Sequence, residues 1–308
     1  MMPALEDALP QSVLIVGCGD IGLRVAARLC AMRREVTGVV RSDQSAAVLR
    51  GAGFAPVVAD LDAQVVLPRA RLLFYFAPPP ATGESDPRLR RVLERVPADD
   101  TRIVYISTSG VYGDCAGRWI DETEPLKPVS ARTRRRLDAE RALAQWGGDH
   151  VLLRVPGIYG PGRLPLARLQ KALPVILESE SPYTNRIHAD DLAAATLHAA
   201  VLGRTGAAYN ISDGQPTTMC DYFTRCARLL GLPPPPQVTL AEARRVFTPA
   251  MWSFMEESKR LLNRRMLDEL QYTLRYPNLE QGLAASITQA PSDSIDFIRP
   301  TKTWESVR

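Results

Sequence analysis

Strand-length runs of apolar residues alternate, through the first half of the chain, with stretches in which apolar residues recur at helical spacing. The runs fall at 13–16, 35–40, 55–59, 72–77, 102–107 and 151–155, and the helical patterns at 22–32, 45–51, 87–95 and 132–146. The runs suit strands buried on both faces and the patterns suit helices with one buried stripe, so the rhythm predicts repeated βα units. Right-handed crossovers then stack the strands into one parallel sheet with helices on both sides, an α/β, doubly wound architecture. After about residue 156 the rhythm changes to Gly/Pro-rich loops, two longer helical stretches at 191–202 and 219–230, and a run of prolines at 233–236. We expect one domain over 11–155, a smaller C-terminal lobe over 156–289 interleaved with the last elements of the sheet, and an irregular tail at 290–308.

Composition narrows the function classes. At 308 residues, 45% hydrophobic and 23% charged, the chain has the makeup of an ordinary globular protein. The net charge of +4 is modest and the arginines are scattered apart from a cluster at 132–136, so no nucleic-acid partner is expected. Five cysteines without a CxxC pair and three histidines standing far apart predict no metal centre and fit a reducing, cytoplasmic setting. The opening MMPALEDALPQS lacks a basic and apolar leader, and no apolar stretch is long enough for a membrane span, so no membrane is expected either.

The chemistry begins at Gly17-Cys18-Gly19-Asp20-Ile21-Gly22, which follows the first strand and opens a helix whose Val25 and Leu29 are spaced to face the sheet. In this Rossmann-type context Gly17 permits the tight turn, Gly19 lets the backbone approach a pyrophosphate, and Gly22 lets helix and strand pack closely. The amides around Asp20 and Ile21 supply the positive end of the helix. An NAD-preferring site ends its second strand on a carboxylate for the ribose 2′-hydroxyl, whereas here that position reads Val40-Arg41-Ser42. Arg41 can fork a 2′-phosphate and Ser42 can add a hydrogen bond, which favours NADP(H), with NAD(H) the alternative. Asp60 and Leu61, past the third strand, suit the adenine amino group and ring, although Asp60 equally suits a loop cap.

Further stretches carry a resemblance. They are Ser107-Thr108-Ser109-Gly110-Val111-Tyr112-Gly113-Asp114, the run 154–162 (RVPGIYGPG), Arg186-Ile187-His188-Ala189-Asp190-Asp191-Leu192, Tyr209-Asn210-Ile211-Ser212-Asp213, and Ser258-Lys259-Arg260-Leu261-Leu262-Asn263. With the glycine motif and in this order, they make the chain from 13 to about 283 similar to the extended short-chain dehydrogenase/reductases. Within these it resembles the NAD-dependent epimerase/dehydratase group, most of which act on nucleotide sugars, and more narrowly an atypical subgroup with an eroded active site. The resemblance implies cofactor contacts at Ala77, Pro78, Ser107, Pro156 and Ile158. It puts Thr108 where the family's hydroxyl holds the reacting oxygen, with Ser109 beside it on the substrate side.

The family's Tyr-x-x-x-Lys pair maps onto Arg132 and Arg136. A guanidinium does not exchange protons near pH 7, and losing a positioned acid/base costs about 10²–10⁴ in rate, roughly 3–5 kcal/mol. Arg136 retains a positive charge for the nicotinamide ribose, and Tyr112, Tyr159 and Tyr183 are the replacement proton carriers to consider. The competing reading of 132–136 is a solvated helix face with Arg134–Asp138 and Arg136–Glu140 pairs at i,i+4. The resemblance also implies a substrate cleft reached by Arg163 and Arg186. His188, ahead of Asp190 and Asp191, is either a substrate contact or a helix cap. Asn210 and Asp213 read as turn residues, and Lys259 and Asn263 as a substrate-side motif or a helix surface pair.

Two functions follow. One is an NAD(P)-dependent oxidoreductase, epimerase or dehydratase acting on a small molecule such as a nucleotide sugar or a similar polar carbonyl or alcohol; a homodimer is compatible with it. The other is a non-catalytic NADP(H)-binding redox sensor that has lost the proton shuttle.

Overall fold

The structure, a computed structural model, describes residues 2–63 and 65–288. Strands β1 (Ser12–Val16), β2 (Glu35–Val40), β3 (Ala55–Val58), β4 (Leu72–Tyr75) and β5 (Arg102–Thr108) lie close to the predicted runs. Two short segments follow the same chain order as β6 (Trp119–Ile120) and β8 (Gly157–Tyr159), with β7 (His150–Val155) between them. β4 and β7 are buried along their whole length, and β1 from Val13 onward, as parallel strands covered on both faces must be.

The central sheet runs, from one edge, Ala208–Asn210, β7, β5, β4, β1, β2, β3, with every pairing parallel. Its order reverses between β1 and β4, where Val16 pairs with Tyr75. A crevice at the carboxyl ends of those two strands is where such a sheet binds ligands. The edge strand Ala208–Asn210 belongs to the later half of the chain, so the sheet spans the boundary expected near residue 155.

Helices cover both faces. α1 (Met2–Ala8), α2 (Asp20–Ala31) and α3 (Asp43–Gly51) precede α4 (Pro87–Leu93) and α5 (Ala131–Trp146). Val25 and Leu29 of α2 pack with Leu192 and Ala193 of a later helix into one core cluster. Leu89 and Val92 of α4 and Ala139 and Leu143 of α5 fill the cluster on the opposite face. The second lobe adds α6 (Leu166–Gln170), α7 (Ala189–Leu202, which carries Leu192), α8 (Met219–Leu229), α9 (Leu240–Val246) and α10 (Pro249–Met255). Among its short strand pairs, β8 lies beside Arg186–His188 and β6 beside Arg260–Leu261.

Several expectations change. α1 has no counterpart in the sequence reading, and α2 starts at Asp20, so Asp20 and Ile21 belong to its first turn. The i,i+4 pairs on α5 do not form, because Arg134 and Asp138 are drawn to partners in and just before α4 while Arg136 and Glu140 turn against the sheet. Arg134 Nε pairs instead with Glu84 at 2.9 Å, and Asp138 with Arg90 at 2.6 Å. Arg136 Nη1 donates to Tyr105 Oη at 3.1 Å and to the Ile106 carbonyl at 2.9 Å. Glu140 is buried against Arg154 (2.9 Å) and accepts from Ser107 Oγ at 2.5 Å. Lys259 and Asn263 flank the extended Arg260–Leu261 and are not a helix surface pair. The irregular tail expected at 290–308 lies outside the described residues. No helix of the described chain is long and apolar enough to cross a membrane.

Candidate active site at the carboxyl end of the sheet

The turn after β1 is built for close backbone approach. Gly17 has φ +85°, and a Cβ there would come within 2.3 Å of the Ala77 nitrogen at the end of β4, so only glycine fits. A Cβ on Gly22 would meet Gly17 O at 3.2 Å and Ile15 Cγ2 at 3.3 Å, whereas one on Gly19 would meet nothing within 4 Å. Gly19 is the N-cap of α2 and offers no side-chain cap, which leaves the helix amides facing that open side. A pyrophosphate fits this combination of bare helix amides and absent Cβ. Asp20, in the first turn, is bound by Arg24 at 2.9 Å and by Arg163 from the loop after β8, so its charge is opposed by two guanidiniums.

At the far end of the crevice Arg41 is exposed just past β2. Ser42 caps α3, accepting from Ser45 N. Asp60 accepts from the Asp62 amide at 3.0 Å, which is the loop role. The Leu61 carbonyl takes Arg91 Nη1 at 3.1 Å and the Pro78 carbonyl takes Arg88 Nη1 at 3.1 Å. Arg88 also grips Asp62 and holds its carboxyl below the usual range, helped by the nearby charges of Arg91 and Arg41. Three guanidiniums therefore gather where β2 and β3 end.

The other end opens into a cleft of about 240 Å³. Thr108, the last residue of β5, lies in its wall with Ser109, Arg132, Pro156, Ile158 and Tyr159. Thr108 Oγ1 accepts from Gly110 N at 3.2 Å and keeps its own proton to donate. Arg132, at the start of α5, has its pKa pushed down by burial and by the like charges of Arg136 and Arg135, against the pull of Glu257. α5 contains neither tyrosine nor lysine.

The opposite wall comes from the second lobe. Arg186, Tyr183 and Tyr222 line it together with Glu257 and Lys259. Lys259 Nζ lies 2.6 Å from Glu257 Oε2, and both side chains are at least nine-tenths buried. Glu257 Oε1 is buried with no hydrogen-bond partner among the described residues. Asn185 fixes this segment, donating to the Lys259 carbonyl at 2.9 Å and accepting from Leu261 N at 2.8 Å.

Tyr112, Tyr159 and His188 are held in the surrounding packing. Tyr112 is 1% exposed and lies outside the cleft. Its hydroxyl donates to Asn210 Oδ1 at 2.8 Å and accepts from Arg154 Nη1 at 3.0 Å, and burial pushes its pKa up. Tyr159 is in the cleft wall, but burial and the Asp213 carboxyl also drive its pKa upward. His188 is fully buried between Tyr159 and Tyr276, and its Nδ1 accepts from Asp190 N at 3.2 Å, the capping role.

Sequence reasoning missed Glu257, Asn185 and Tyr222. For Glu257 a signal existed: Glu257 and Lys259 are two apart, and in an extended segment that spacing puts both on one side.

The family model described as the NAD dependent epimerase/dehydratase family matches residues 88–212. Protein YeeZ of Escherichia coli (strain K12) is 30% identical over 244 residues, covering 73% of this chain and 86% of YeeZ. A solved, functionally unknown conserved protein from Silicibacter pomeroyi DSS is 30% identical, with a TM-score of 0.79 over 91% of this chain and 99% of its own. MoeE5, solved in complex with UDP-glucose and NAD, shares the fold at 23% identity and a TM-score of 0.72 over 90% of this chain and 97% of its own. With a glycine turn at the sheet's switch point and relatives that span nearly their whole length, the chain belongs to the NAD-dependent epimerase/dehydratase family.

Proposed function

We propose that the protein binds a nicotinamide dinucleotide across the Gly17–Gly22 turn, NADP(H) in preference to NAD(H), and oxidises or reduces an oxygen-bearing carbon of a small polar substrate. A nucleotide sugar or a similar carbonyl or alcohol is the substrate class. One observation carries the reading: the uncapped N-terminus of α2 and the Thr108 hydroxyl stand at the same end of one sheet, on either side of the β1/β4 reversal. The gathering of Arg41, Arg88 and Arg91 supports a 2′-phosphate at the adenosine end. The UDP-glucose and NAD held by MoeE5 support the substrate class.

When bound, the nicotinamide supplies the hydride acceptor or donor. Thr108 donates a hydrogen bond to the reacting oxygen and orients it. Arg132 and Arg136 add positive charge where an alkoxide develops, without exchanging protons. Glu257 is the carboxylate in the cleft wall, and its Oε1 takes or returns the substrate proton while Lys259 holds Oε2.

The absence of Tyr and Lys from α5 favours the redox-sensor reading as second choice. A fluorescence titration with NADPH and NADH, followed by nicotinamide absorbance with nucleotide sugars and simple alcohols, separates the two. Tight NADPH binding with substrate-dependent absorbance change supports the enzyme; tight binding with no change in any mixture supports the sensor. Binding of neither dinucleotide overturns both.

A further inference from the structure

Arg186 is a buried cation on which the carboxylates of Asp213 and Asp221 act without closing an ion pair. It begins the strand Arg186–His188, is 6% exposed, and faces the cleft. Nη1 donates to Thr217 Oγ1 at 3.1 Å, Nη2 lies 3.6 Å from Met219 Sδ, and the guanidinium stacks over Tyr222 at 4.0 Å. Among the described residues no carboxylate forms an ion pair with it. Asp213 is nearby, yet its backbone amide donates to the Arg186 carbonyl and its carboxyl accepts from Gln215 N.

Across the cleft, Arg132 and Lys259 share one carboxylate, that of Glu257. The lining of the cleft thus carries three cations and one anion, a net charge of two positive, with the carboxylates of Asp213 and Asp221 acting on Arg186 from outside that lining. Buried charge in such excess is costly unless a ligand answers it. A guanidinium offers the fork that a phosphate or carboxylate fills. The space is small: about 240 Å³, below the about 300–1,000 Å³ filled by drug-sized ligands.

We infer that the cleft takes a compact dianion, a phosphate monoester or a dicarboxylate that also carries a hydroxyl or carbonyl carbon, with an anionic group on Arg186 and the reacting oxygen at Thr108. No nucleoside is required. The inference rests on the dinucleotide-dependent reading above and narrows its substrate.

The full-length protein is first titrated with NADPH, which tests that reading alone. Both the loaded and the unloaded protein are then titrated by calorimetry with glucose 6-phosphate, malate, UDP-glucose, glucose and lactate. We expect glucose 6-phosphate or malate, the phosphate and dicarboxylate arms, to bind at least 10-fold more tightly than UDP-glucose and than its neutral or monoanionic counterpart. Arg186→Gln should weaken that binding at least 10-fold and Arg186→Lys should recover part of it. UDP-glucose binding more tightly than both dianions, or dianions binding no better than glucose and lactate, overturns the inference. So does undiminished binding by a folded Arg186→Gln protein. If that variant does not fold, the wild-type comparison decides.

Discussion

Arg163 closes an ion pair with Asp20, joining the loop after β8 to the first turn of α2 over 143 positions of sequence. Asp20 stands in the first turn of α2, where the proposed pyrophosphate would meet the helix amides, so an unopposed carboxylate there would repel that ligand. Arg163→Ala should weaken NADPH binding about 5-fold, near 1 kcal/mol, with little effect on thermal stability because the pair is partly exposed. Asp20→Asn in the same background should restore affinity. Fluorescence titration of both variants checks this, and unaltered binding by Arg163→Ala would detach Asp20 from the phosphate site.

Arg41 is exposed beside the end of β2 and belongs to the cationic group around Asp62. Arg41→Ala should weaken NADPH about 10-fold, the loss of one charge-assisted contact of roughly 1.4 kcal/mol, and leave NADH nearly unchanged. Equal losses for the two dinucleotides would remove Arg41 from the 2′-phosphate site.

Thr108 has a proton to donate after accepting from Gly110 N. Thr108→Val should abolish turnover on any substrate found while leaving NADPH affinity within about 2-fold, because its proposed contact is with the reacting oxygen and not with the dinucleotide. Glu257→Gln should lower kcat by about 10²-fold or more. A Glu257→Gln enzyme with unchanged kcat would pass the proton role to Tyr183.

Asp213 is 4% exposed, and burial pushes its carboxyl up to about 7. Between the ordinary carboxylate pKa near 4 and about 7, the folded protein keeps a proton that the unfolded chain has released. Stability held below that window is therefore lost as pH rises through it, by on the order of a few kcal/mol. Urea midpoints of wild type and Asp213→Asn across pH 4–8 should diverge in that direction; parallel curves would mean that Asp213 ionises normally.

The strand–helix rhythm and the glycine turn were legible because burial on both faces and close backbone approach leave local marks. Thr108 was legible through its resemblance to a family motif. Arg136 was open between two readings, because the five basic or polar residues 132–136 on a helix also suit a solvated face, and only packing against β5 brings Arg136 to Tyr105. The Arg136–Glu140 pair of the solvated-face reading fails for the same reason, since Arg154, the partner of Glu140, lies on a strand that follows the helix. The paired segments Trp119–Ile120 and Arg260–Leu261 are too short to show a period, so the sequence leaves Lys259 and Asn263 open between a substrate-side motif and a helix surface pair and does not reveal the extended course that sets Lys259 beside Glu257.

The seventh strand of the sheet, Ala208–Asn210, lies beside β7 yet is the last to leave the ribosome. Until it arrives, β7, all of whose residues are buried in the finished protein, is a naked edge open to any other strand. The half of the chain that ends with β7 is therefore no portable module. A gene fragment ending at Val155 should yield insoluble protein, and one extended through the strand and α7 should be the shortest that stays in solution.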